Sequence, residues 1–331
     1  MQFPWFFLLT VTIAAFLLTG LTTWFVTRQG MLDLPGERHS HLVATPRGGG
    51  LGIVLAVLVM TWLNPLSQAV PVFWWHCLAP GFAVLALVGF LDDRFSLSVP
   101  LRLLVQLTAS LYLLACGQQS GWTLGIWLWI AAPLFLVWMT NLYNFMDGSN
   151  GMAAMQGVFA GLVIAVLFYQ SGDTSSALLA ATLAAACTGF LPWNLGNARV
   201  FMGDAGSIAL GYLLAGLLVF GVMTGAFASA VAWMVMLVFI CDSSLTLAAR
   251  VIRGERWYTP HKQHIYQRLI ANGWSHNRVM WLYQLINFLL VIPVIVVAVS
   301  YPEWAEVIAI STTLALAIAW FLALRKFGVL A

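Results

Sequence analysis

The sequence predicts an all-α polytopic integral membrane protein with about eleven transmembrane helices. Of its 331 residues, 62% are hydrophobic and only 8% are charged. A soluble domain carries roughly 25% charged residues, so too few are present here to cover a water-exposed surface. The chain also contains repeated apolar runs of spanning length, and its basic residues are confined to alternate loops between them. We therefore expect a single transmembrane domain, 1–331, without a soluble domain.

The apolar runs are identified by length, because a helix needs about 17–25 predominantly apolar residues to cross the hydrocarbon core. The first run has no basic residue before it, which is typical of a retained helix rather than a signal peptide. The second and fourth runs are short. The predicted spans are 3–26, 49–63, 72–91, 101–116, 124–146, 152–170, 176–193, 205–223, 228–249, 279–300 and 305–324.

The loop charges predict the orientation of these spans. Cytoplasmic loops carry an excess of Lys and Arg, and every Lys and Arg of this chain falls on one side of the predicted layout. That side is therefore predicted to be cytoplasmic, with the N-terminus outside and the C-terminus inside. The basic residues are Arg28, Arg38, Arg47, Arg94, Arg102, Arg199, Arg250, Arg253, Arg256, Lys262, Arg268, Arg278, Arg325 and Lys326.

The four cysteines, Cys77, Cys116, Cys187 and Cys241, lie far apart along the chain. None belongs to a CxxC pair or has a histidine at metal-ligand spacing, which favours thiols packed among apolar helices. The net charge of +3 is too small to indicate a nucleic-acid partner.

Carboxylates at the ends of three apolar runs are the first candidates for a functional site. The segment GFLDDRFSLSV ends the third run with Asp92 and Asp93, and VFMGDAGSIALGY opens the eighth with Asp204. Adjacent carboxylates repel each other unless a cation or proton lies between them. Taken singly, a solvated helix end explains the aspartate pair, and an ordinary N-cap explains Asp204.

The segment NLYNFMDGSNGM at the end of the fifth run makes a third polar cluster. If the helix continues to Asp147, then Asn141, Asn144 and Asp147 recur every three residues and share one side of it. A polar helix end punctuated by glycine is the alternative. Three oxygen-rich clusters at one depth predict a hard divalent cation, Mg²⁺ with Mn²⁺ as a substitute, bound together with a diphosphate.

The loop 250–278 carries six basic residues against the single acid Glu255. The positive-inside bias alone explains its arginines, but it does not explain His261 and His264 in the segment PHKQHIYQRL. A basic lid over a phosphate-bearing site, with Arg268 one turn further on, explains both.

These motifs, in this order, resemble the polyprenyl-phosphate N-acetylhexosamine-1-phosphate transferases, glycosyltransferase family 4. The resemblance rests on GFLDDRFSLSV, NLYNFMDGSNGM, NLGNARVFMGDAGS and PHKQHIYQRL and covers nearly the whole chain. It implies transfer of a sugar 1-phosphate from a UDP-N-acetylhexosamine to undecaprenyl phosphate, with Mg²⁺, at the bacterial cytoplasmic membrane. It also implies a site built from the loops 27–48, 92–101, 147–151, 194–204 and 250–278, within membrane lipid.

The resemblance further implies roles for individual residues. Asp204 is the principal metal ligand, and Asp92 and Asp93 help to hold the metal, one of them acting as base. The remaining candidates bind substrate. They are Asn141, Asn144 and Asp147 at the nucleotide or magnesium, Asn194 and Phe201 at the uridine, and His261, His264, Arg268, Arg94, Arg102 and Arg47 at the sugar or diphosphate.

The chain departs from some relatives within this family. It has Tyr266 and Gln267 where they often carry a further histidine, and it lacks the PLHHH run of the peptidoglycan enzyme. The segment TPRGGGLG, Thr45 to Gly52, resembles the O-antigen-initiating branch, whose donors include UDP-GlcNAc, UDP-FucNAc and UDP-QuiNAc. Its glycine run predicts close packing of the loop against the site.

Several alternatives stay open at this point. A transporter of nucleotide-linked or lipid-linked sugars would place its ionisable groups near the bilayer midplane rather than at helix ends. The transfer would proceed in one step or through a covalent aspartyl intermediate. Asp242 serves either the site or a neighbouring helix, and the sequence does not decide whether two copies form a homodimer.

Overall fold

A computed structural model describes residues 4–33, 44–63, 73–256, 259 and 261–327. Within these ranges the chain is almost entirely helical. The helices of its first half are α1 Trp5–Arg28, α2 Leu51–Leu63, α3 Ala79–Phe95, α4 Val99–Gln119, α5 Leu128–Phe145, α6 Met152–Gln170 and α7 Thr174–Asn194. The second half contains α8 Asp204–Met223, α9 Ser229–Val235, α10 Leu237–Ile252, α11 Ile265–Ala271, α12 His276–Ile286, α13 Ile292–Ser300 and α14 Ala305–Phe327.

The predicted all-α polytopic membrane fold is confirmed. In the described part of the chain, nine helical segments are long and apolar enough to cross a membrane, and α9 with α10 forms a tenth, bent candidate. The segment α2 has 13 residues and is shorter than a usual span. The full count of eleven spans therefore stays a prediction, as does the orientation.

The centre of the bundle is α8, because 83% of its most apolar stretch of 18 residues is buried inside the protein. It packs against α3 and α5, and α7 packs against α1 and α6. A helix that is apolar on all sides is expected to be enclosed by others. By contrast, only 11% of the corresponding stretch in the span that contains α14 is buried, so α14 is an outer helix. The most enclosed helix thus begins at Asp204.

One predicted span is broken. The run 228–249 forms α9 and α10, which meet at Met236 with a bend of 78°. A break inside a membrane exposes backbone groups that require other partners. The side chain of Gln156 from α6 lies at this break, and its amide donates to the Val235 carbonyl at 3.4 Å.

Two further features differ from the sequence-based expectations. A two-stranded antiparallel ribbon pairs β1, Leu32–Asp33, with β2, Thr45–Pro46, in a chain predicted to be all helical. Cys77 and Cys116 form a disulfide, so the interpretation of these two as packed thiols is wrong. They lie near the start of the third span and the end of the fourth, and two neighbouring helix ends bring them together. Cys187 and Cys241 are buried free thiols, as expected.

Candidate active site

A polar cavity of about 450 Å³ lies where α3 and α5 end and α8 begins. This volume falls within the range of roughly 300–1,000 Å³ that is typical of small-molecule sites. Its walls come from four of the five predicted loops and from the end of α5. The lining residues are Asp33, Arg47, Asn144, Phe145, Asp147, Gly148, Ser149, Asn150, Asn194, Phe201, Met202, Gly203, Asp204, Lys262, Tyr266, Gln267, Ile270 and Ala271.

The first turn of α8 is capped by Asp93, which belongs to α3. The amides of Asp204 and Ala205 donate to the two carboxylate oxygens of Asp93 at 3.0 and 3.2 Å. The first amides of a helix have no partner within the helix, and an acidic side chain satisfies them well. The preceding residue is Gly203, whose φ of +72° suits glycine. Asp93 therefore fixes where α8 starts and how Asp204 faces the cavity.

Two arginines neutralise the aspartates at this point. The Arg47 guanidinium lies 2.7 Å from Asp93 Oδ1 and 2.6 Å from Asp204 Oδ1. Arg102 lies 2.5 Å from Asp92 Oδ2 and 3.4 Å from Asp204 Oδ2. Charges buried this deeply need partners with hydrogen-bonding geometry, and arginine supplies several donors in one plane. The site is therefore a network of three carboxylates and two guanidinium groups, with Asp204 shared by both arginines.

Arg47 reaches this network because its loop is joined to the chain before α8 through the backbone. The amide of Phe201 donates to the Pro46 carbonyl at 2.8 Å, and Gly49 donates back to the Phe201 carbonyl at 2.9 Å. A Cβ on Gly206 would lie 2.7 Å from the Cα of Gly50, so the two backbones touch. The predicted close packing of the glycine run is confirmed. Phe201 lies in the cavity wall at this junction.

The NLYNFMDG segment divides its polar residues between two environments. The helix α5 ends at Phe145, one residue before the end of the predicted span, so it does not continue to Asp147. Asn141 faces α4, where its amide donates to Gln106 Oε1 at 2.6 Å, and it is not part of the cavity wall. Asn144 hydrogen-bonds the Asp204 carboxylate. A helix turns by about 100° per residue, so a spacing of three offsets Asn141 from Asn144 by about 60°, and this offset lets Asn141 contact Gln106 of α4.

Asp147 is one of three aspartates in the cavity wall, together with Asp33 and Asp204. Burial raises the pKa of its carboxyl well above the ordinary value, and the nearby charge of Asp204 adds to the rise. In the described part of the chain, no side chain or amide is found to donate to this carboxylate. A buried carboxylate in this position calls for a cation or a proton.

Asn194 joins two loops of the site. Its side-chain oxygen accepts from the Gly151 amide at 2.6 Å, and its side-chain nitrogen donates to the Val200 carbonyl at 2.9 Å. Asn194 lines the cavity, but these bonds use both ends of its amide for the loops 147–151 and 194–204. Contact with uridine thus stays a prediction, while the structural role is clear.

The histidines of the last loop lie behind the cavity rather than in its wall. His264 is 2% exposed and stacks on Phe145, with ring centroids 6.2 Å apart. Burial lowers the pKa of His264, and burial together with the neighbouring His264 lowers the pKa of His261 to about 3. Both rings are therefore neutral at physiological pH. Arg268 donates to the Gln263 carbonyl at 2.8 Å and also lies outside the wall.

Other residues of this loop line the cavity instead. They are Lys262, Tyr266, Gln267, Ile270 and Ala271, which the sequence interpretation did not select. Asp33, on the strand next to β2, was counted among the acids but was not assigned to the site, although it lies in the wall. Arg94 lies outside, exposed and 5.3 Å from the Phe95 ring centroid. The position of Lys262 between the two histidines was the signal available for it.

The oxygen donors of the cavity form part of a coordination shell for a divalent cation. Among the described residues, no group of three His, Cys, Asp or Glu side chains is arranged to hold a metal ion without help. The same cavity is nevertheless lined by the carboxylates of Asp204 and Asp147 and by the amide of Asn144. Mg²⁺ usually binds through one or two carboxylates, water and substrate phosphates, so an incomplete protein shell of oxygens fits it. Residues 34–43, 257, 258 and 260 of the predicted site loops lie outside the described residues.

The fold and the cavity together define a polytopic membrane protein with an ion-paired, carboxylate-rich site at one end of its helices. Residues 75–222 match the family described as glycosyl transferase family 4. A decaprenyl-phosphate N-acetylglucosaminephosphotransferase of Mycobacterium tuberculosis is 32% identical over 82% of this chain and 77% of its own length. This chain is therefore a member of that family, the polyprenyl-phosphate N-acetylhexosamine-1-phosphate transferases.

Two further relatives show the same similarity over most of the chain. A probable undecaprenyl-phosphate N-acetylglucosaminyl 1-phosphate transferase of Bacillus subtilis is 28% identical over 86% of this chain and 84% of its own length. An undecaprenyl-phosphate alpha-N-acetylglucosaminyl 1-phosphate transferase of Escherichia coli is 26% identical over 91% of this chain and 88% of its own length.

Proposed function

We propose that this protein transfers an N-acetylhexosamine 1-phosphate from a UDP-sugar to undecaprenyl phosphate and releases UMP. The observation that carries the proposal is the cavity of about 450 Å³, whose lining includes the carboxylates of Asp204 and Asp147 and the ammonium group of Lys262. Such a mixture of carboxylates and a cation suits a diphosphate bound with a metal ion. The names of the relatives support the same reaction type, since each describes sugar-phosphate transfer to a polyprenyl phosphate.

In this proposal each residue of the cavity wall contacts a different part of the UDP-sugar. Phe201 offers an aromatic face to the uracil ring. Arg47 and Lys262 lie in the wall and would neutralise the diphosphate. Asn144 would offer its amide to the nucleotide while it touches Asp204. Asn150 would contact the sugar or ribose from the adjoining loop.

Asp204 and Asp147 would hold Mg²⁺ or Mn²⁺. The ion would supply charge neutralisation at the departing phosphate. We assign Asp93 to the start of α8 rather than to the ion, because the amides of Asp204 and Ala205 and the Arg47 guanidinium engage its carboxylate. Asp92 contacts Asp204 and Arg102, and we keep it as the candidate base.

The step itself is a single displacement. An oxygen of the lipid phosphate attacks the β-phosphorus of the UDP-sugar, and the bond from that phosphorus to the bridging oxygen breaks. UMP leaves with the bridging oxygen, and the lipid retains the new diphosphate linkage. A phosphate monoester is largely ionised near neutral pH, since its second pKa is about 6. The lipid phosphate therefore needs little deprotonation by a base before it attacks. Arg47 and Lys262, which line the cavity, would instead hold the reacting phosphates in line.

We also propose that the cavity faces the cytoplasm of a bacterial cell, with eleven spans in the inner membrane. All Lys and Arg residues fall on the predicted cavity side, and the Cys77–Cys116 disulfide lies at the other end. Disulfides persist in oxidising compartments, as in the bacterial periplasm. UDP-GlcNAc is the first donor to test, because all three relatives are named for N-acetylglucosamine. The lipid product would start O-antigen or a related surface polysaccharide.

The purified protein should be assayed with undecaprenyl phosphate and Mg²⁺ against UDP-GlcNAc, UDP-FucNAc and UDP-QuiNAc. We expect one molecule of UMP for each lipid-diphospho-sugar formed, with one donor preferred. A labelled sugar phosphate trapped on the protein without lipid would replace the single displacement by a covalent route. No UMP with any donor would reject the proposal, and uptake of the UDP-sugar into proteoliposomes would then favour a transporter.

A further inference from the structure

The carboxylate of Asp242 accepts hydrogen bonds from four different helices. It lies in α10 and is 3% exposed. A charged group enclosed near the membrane is costly unless donors surround it. The donors are Ile265 N at 2.8 Å, Tyr266 N at 3.4 Å, Thr246 Oγ1 at 3.3 Å, Tyr283 Oη at 2.6 Å and Trp320 Nε1 at 3.3 Å.

Two of these donors are the first backbone amides of α11. Ile265 donates to Oδ1 and Tyr266 donates to Oδ2, so each carboxylate oxygen holds one amide. The local cap of α11 serves other amides, because His264 and Gln267 form a capping box in which the His264 amide donates to Gln267 Oε1 at 3.3 Å. Asp242, 23 residues before Ile265, therefore completes the cap by accepting from the first two amides of the helix.

The helix that Asp242 holds is also the helix that reaches the cavity. The Tyr266 hydroxyl donates to the Phe145 carbonyl at 2.8 Å, next to Asn144. Tyr266 and Gln267 line the cavity, and so does Lys262 from the turn before the helix. The position of α11 thus decides where these three side chains stand relative to Asp147.

We propose that Asp242 is a positioning residue, whose carboxylate fixes α11 and thereby holds Lys262, Tyr266 and Gln267 against the substrate cavity. The proposal rests on the proposed function, since it takes the cavity to be the UDP-sugar site. An asparagine at this position would not substitute fully, because its NH₂ group would face an amide that also donates.

One variant removes the contact without changing Asp242. Ile265 is the first residue of α11, a position where proline is well tolerated. The preceding residue, His264, has φ −60° and ψ 148°, which a following proline permits. Ile265→Pro therefore deletes one donor to Asp242 and leaves the helix intact. Ile265→Ala is the matched control, because it loses the same buried side chain but keeps the amide.

The experiment combines hydrogen–deuterium exchange of the full-length protein with UMP-release kinetics for wild type, Ile265→Pro, Ile265→Ala and Asp242→Asn. For Ile265→Pro and Asp242→Asn we expect faster exchange in residues 261–271. We also expect KM for the UDP-sugar to rise about tenfold while kcat stays within about threefold, the pattern of lost substrate binding. Ile265→Ala should stay close to wild type in both measurements. If Asp242→Asn is not recovered folded, Ile265→Pro decides alone.

Unchanged exchange in 261–271 for Ile265→Pro would overturn the proposal. So would faster exchange in that segment with kcat and KM both at the Ile265→Ala values, since that pattern describes a purely structural role. If the wild-type protein releases no UMP, the proposed function fails, and the exchange measurement still decides whether Asp242 holds α11.

Discussion

The Arg47 guanidinium lies 2.6 Å from the Asp204 carboxylate, although 157 residues separate them in sequence. The contact joins the loop after β2 to the first residue of the most enclosed helix. It puts a fixed positive charge beside the carboxylate that faces the cavity. Arg47 therefore neutralises the charge of Asp204, and a bound divalent cation would do so together with Arg47 or in its place.

Replacement of Arg47 by Gln should make the stability of the protein depend on divalent cations. The change leaves the carboxylates of Asp93 and Asp204 without their shared guanidinium. We expect a loss of roughly 1–3 kcal/mol, below the value for a fully buried pair because the Arg47 side chain is 39% exposed. Thermal unfolding in EDTA should show the loss, and Mg²⁺ should restore part of it.

Arg28→Gln is the control for this experiment, because Arg28 lies over the Trp24 ring at the end of α1 and does not touch the aspartates. Its unfolding temperature should respond to Mg²⁺ as the wild type does. The same response in Arg47→Gln would contradict the role given to the ion pair.

Asp204→Asn should abolish turnover at every Mg²⁺ concentration. The variant keeps the shape of the side chain but removes the charge shared by Arg47 and Arg102, and we expect a loss of at least about a hundredfold in kcat. Asp173→Asn is a suitable control, because Asp173 caps α7 by accepting from the Ser176 amide and lies outside the cavity wall. Normal UMP release by Asp204→Asn would mean that the metal assignment is wrong.

Gly148→Ala should displace Tyr266. A Cβ at this position would overlap the Tyr266 hydroxyl, and the shift would break its bond to the Phe145 carbonyl. We expect a raised KM for the UDP-sugar and a cost of about 1–3 kcal/mol from overpacking. Gly125→Ala adds the same methyl group where nothing lies within 4 Å and should leave the kinetics unchanged. Equal KM values for the two variants would argue against close packing at Gly148.

The lowered pKa of His261 should make the stability of the protein fall as the pH is lowered. The pKa of His261 in the folded protein is about 3, against 6.5 without the burial and the neighbouring His264 that lower it. Between these pH values the unfolded chain binds a proton that the folded chain does not, so stability falls as the pH drops below about 6.5. His261→Gln should lose less stability than wild type between pH 7.5 and pH 5, measured by thermal unfolding. Asn272→Ala, on the same loop, should behave as wild type, and an identical acid loss in His261→Gln would refute the explanation.

The disulfide tests the orientation. Under denaturing conditions a maleimide mass tag should label the two free thiols, Cys187 and Cys241, and should label all four cysteines only after reduction. A membrane-impermeant reductant applied to intact cells should be enough to open the Cys77–Cys116 bond. The pair of serine substitutions should lower the stability by about 2–4 kcal/mol. Four reactive thiols without reduction, or protection from the impermeant reductant, would contradict the arrangement.

The sequence predicted the helices well because apolar length alone specifies a span. It also selected Asp204, Asp147, Asn144 and Arg47, since polar residues beside apolar runs are expensive and require a purpose. The expectation that α8 begins near Asp204 is correct, and the glycines of the loop before α2 were correctly interpreted as sites of close approach.

Contacts between distant segments were not predictable in the same way. The first two amides of α8 donate to Asp93 and the first two of α11 donate to Asp242, so both pairs are satisfied by a side chain on another helix. The pairing of Cys77 with Cys116 could not follow from spacing, since sequence does not specify connectivity. The sequence also did not show which side chains of the last loop face the cavity. Lys262 lines the cavity wall, where His264 was expected.

The most direct test of the account uses Mn²⁺ in place of Mg²⁺. Electron–nuclear double resonance should detect phosphorus nuclei close to protein-bound Mn²⁺ once UDP-GlcNAc is added, because Asp204 and the diphosphate would share the ion. The phosphorus signal should disappear in Asp204→Asn. Bound Mn²⁺ without a phosphorus coupling, or a coupling that persists in Asp204→Asn, would contradict a common site for the cation and the nucleotide sugar.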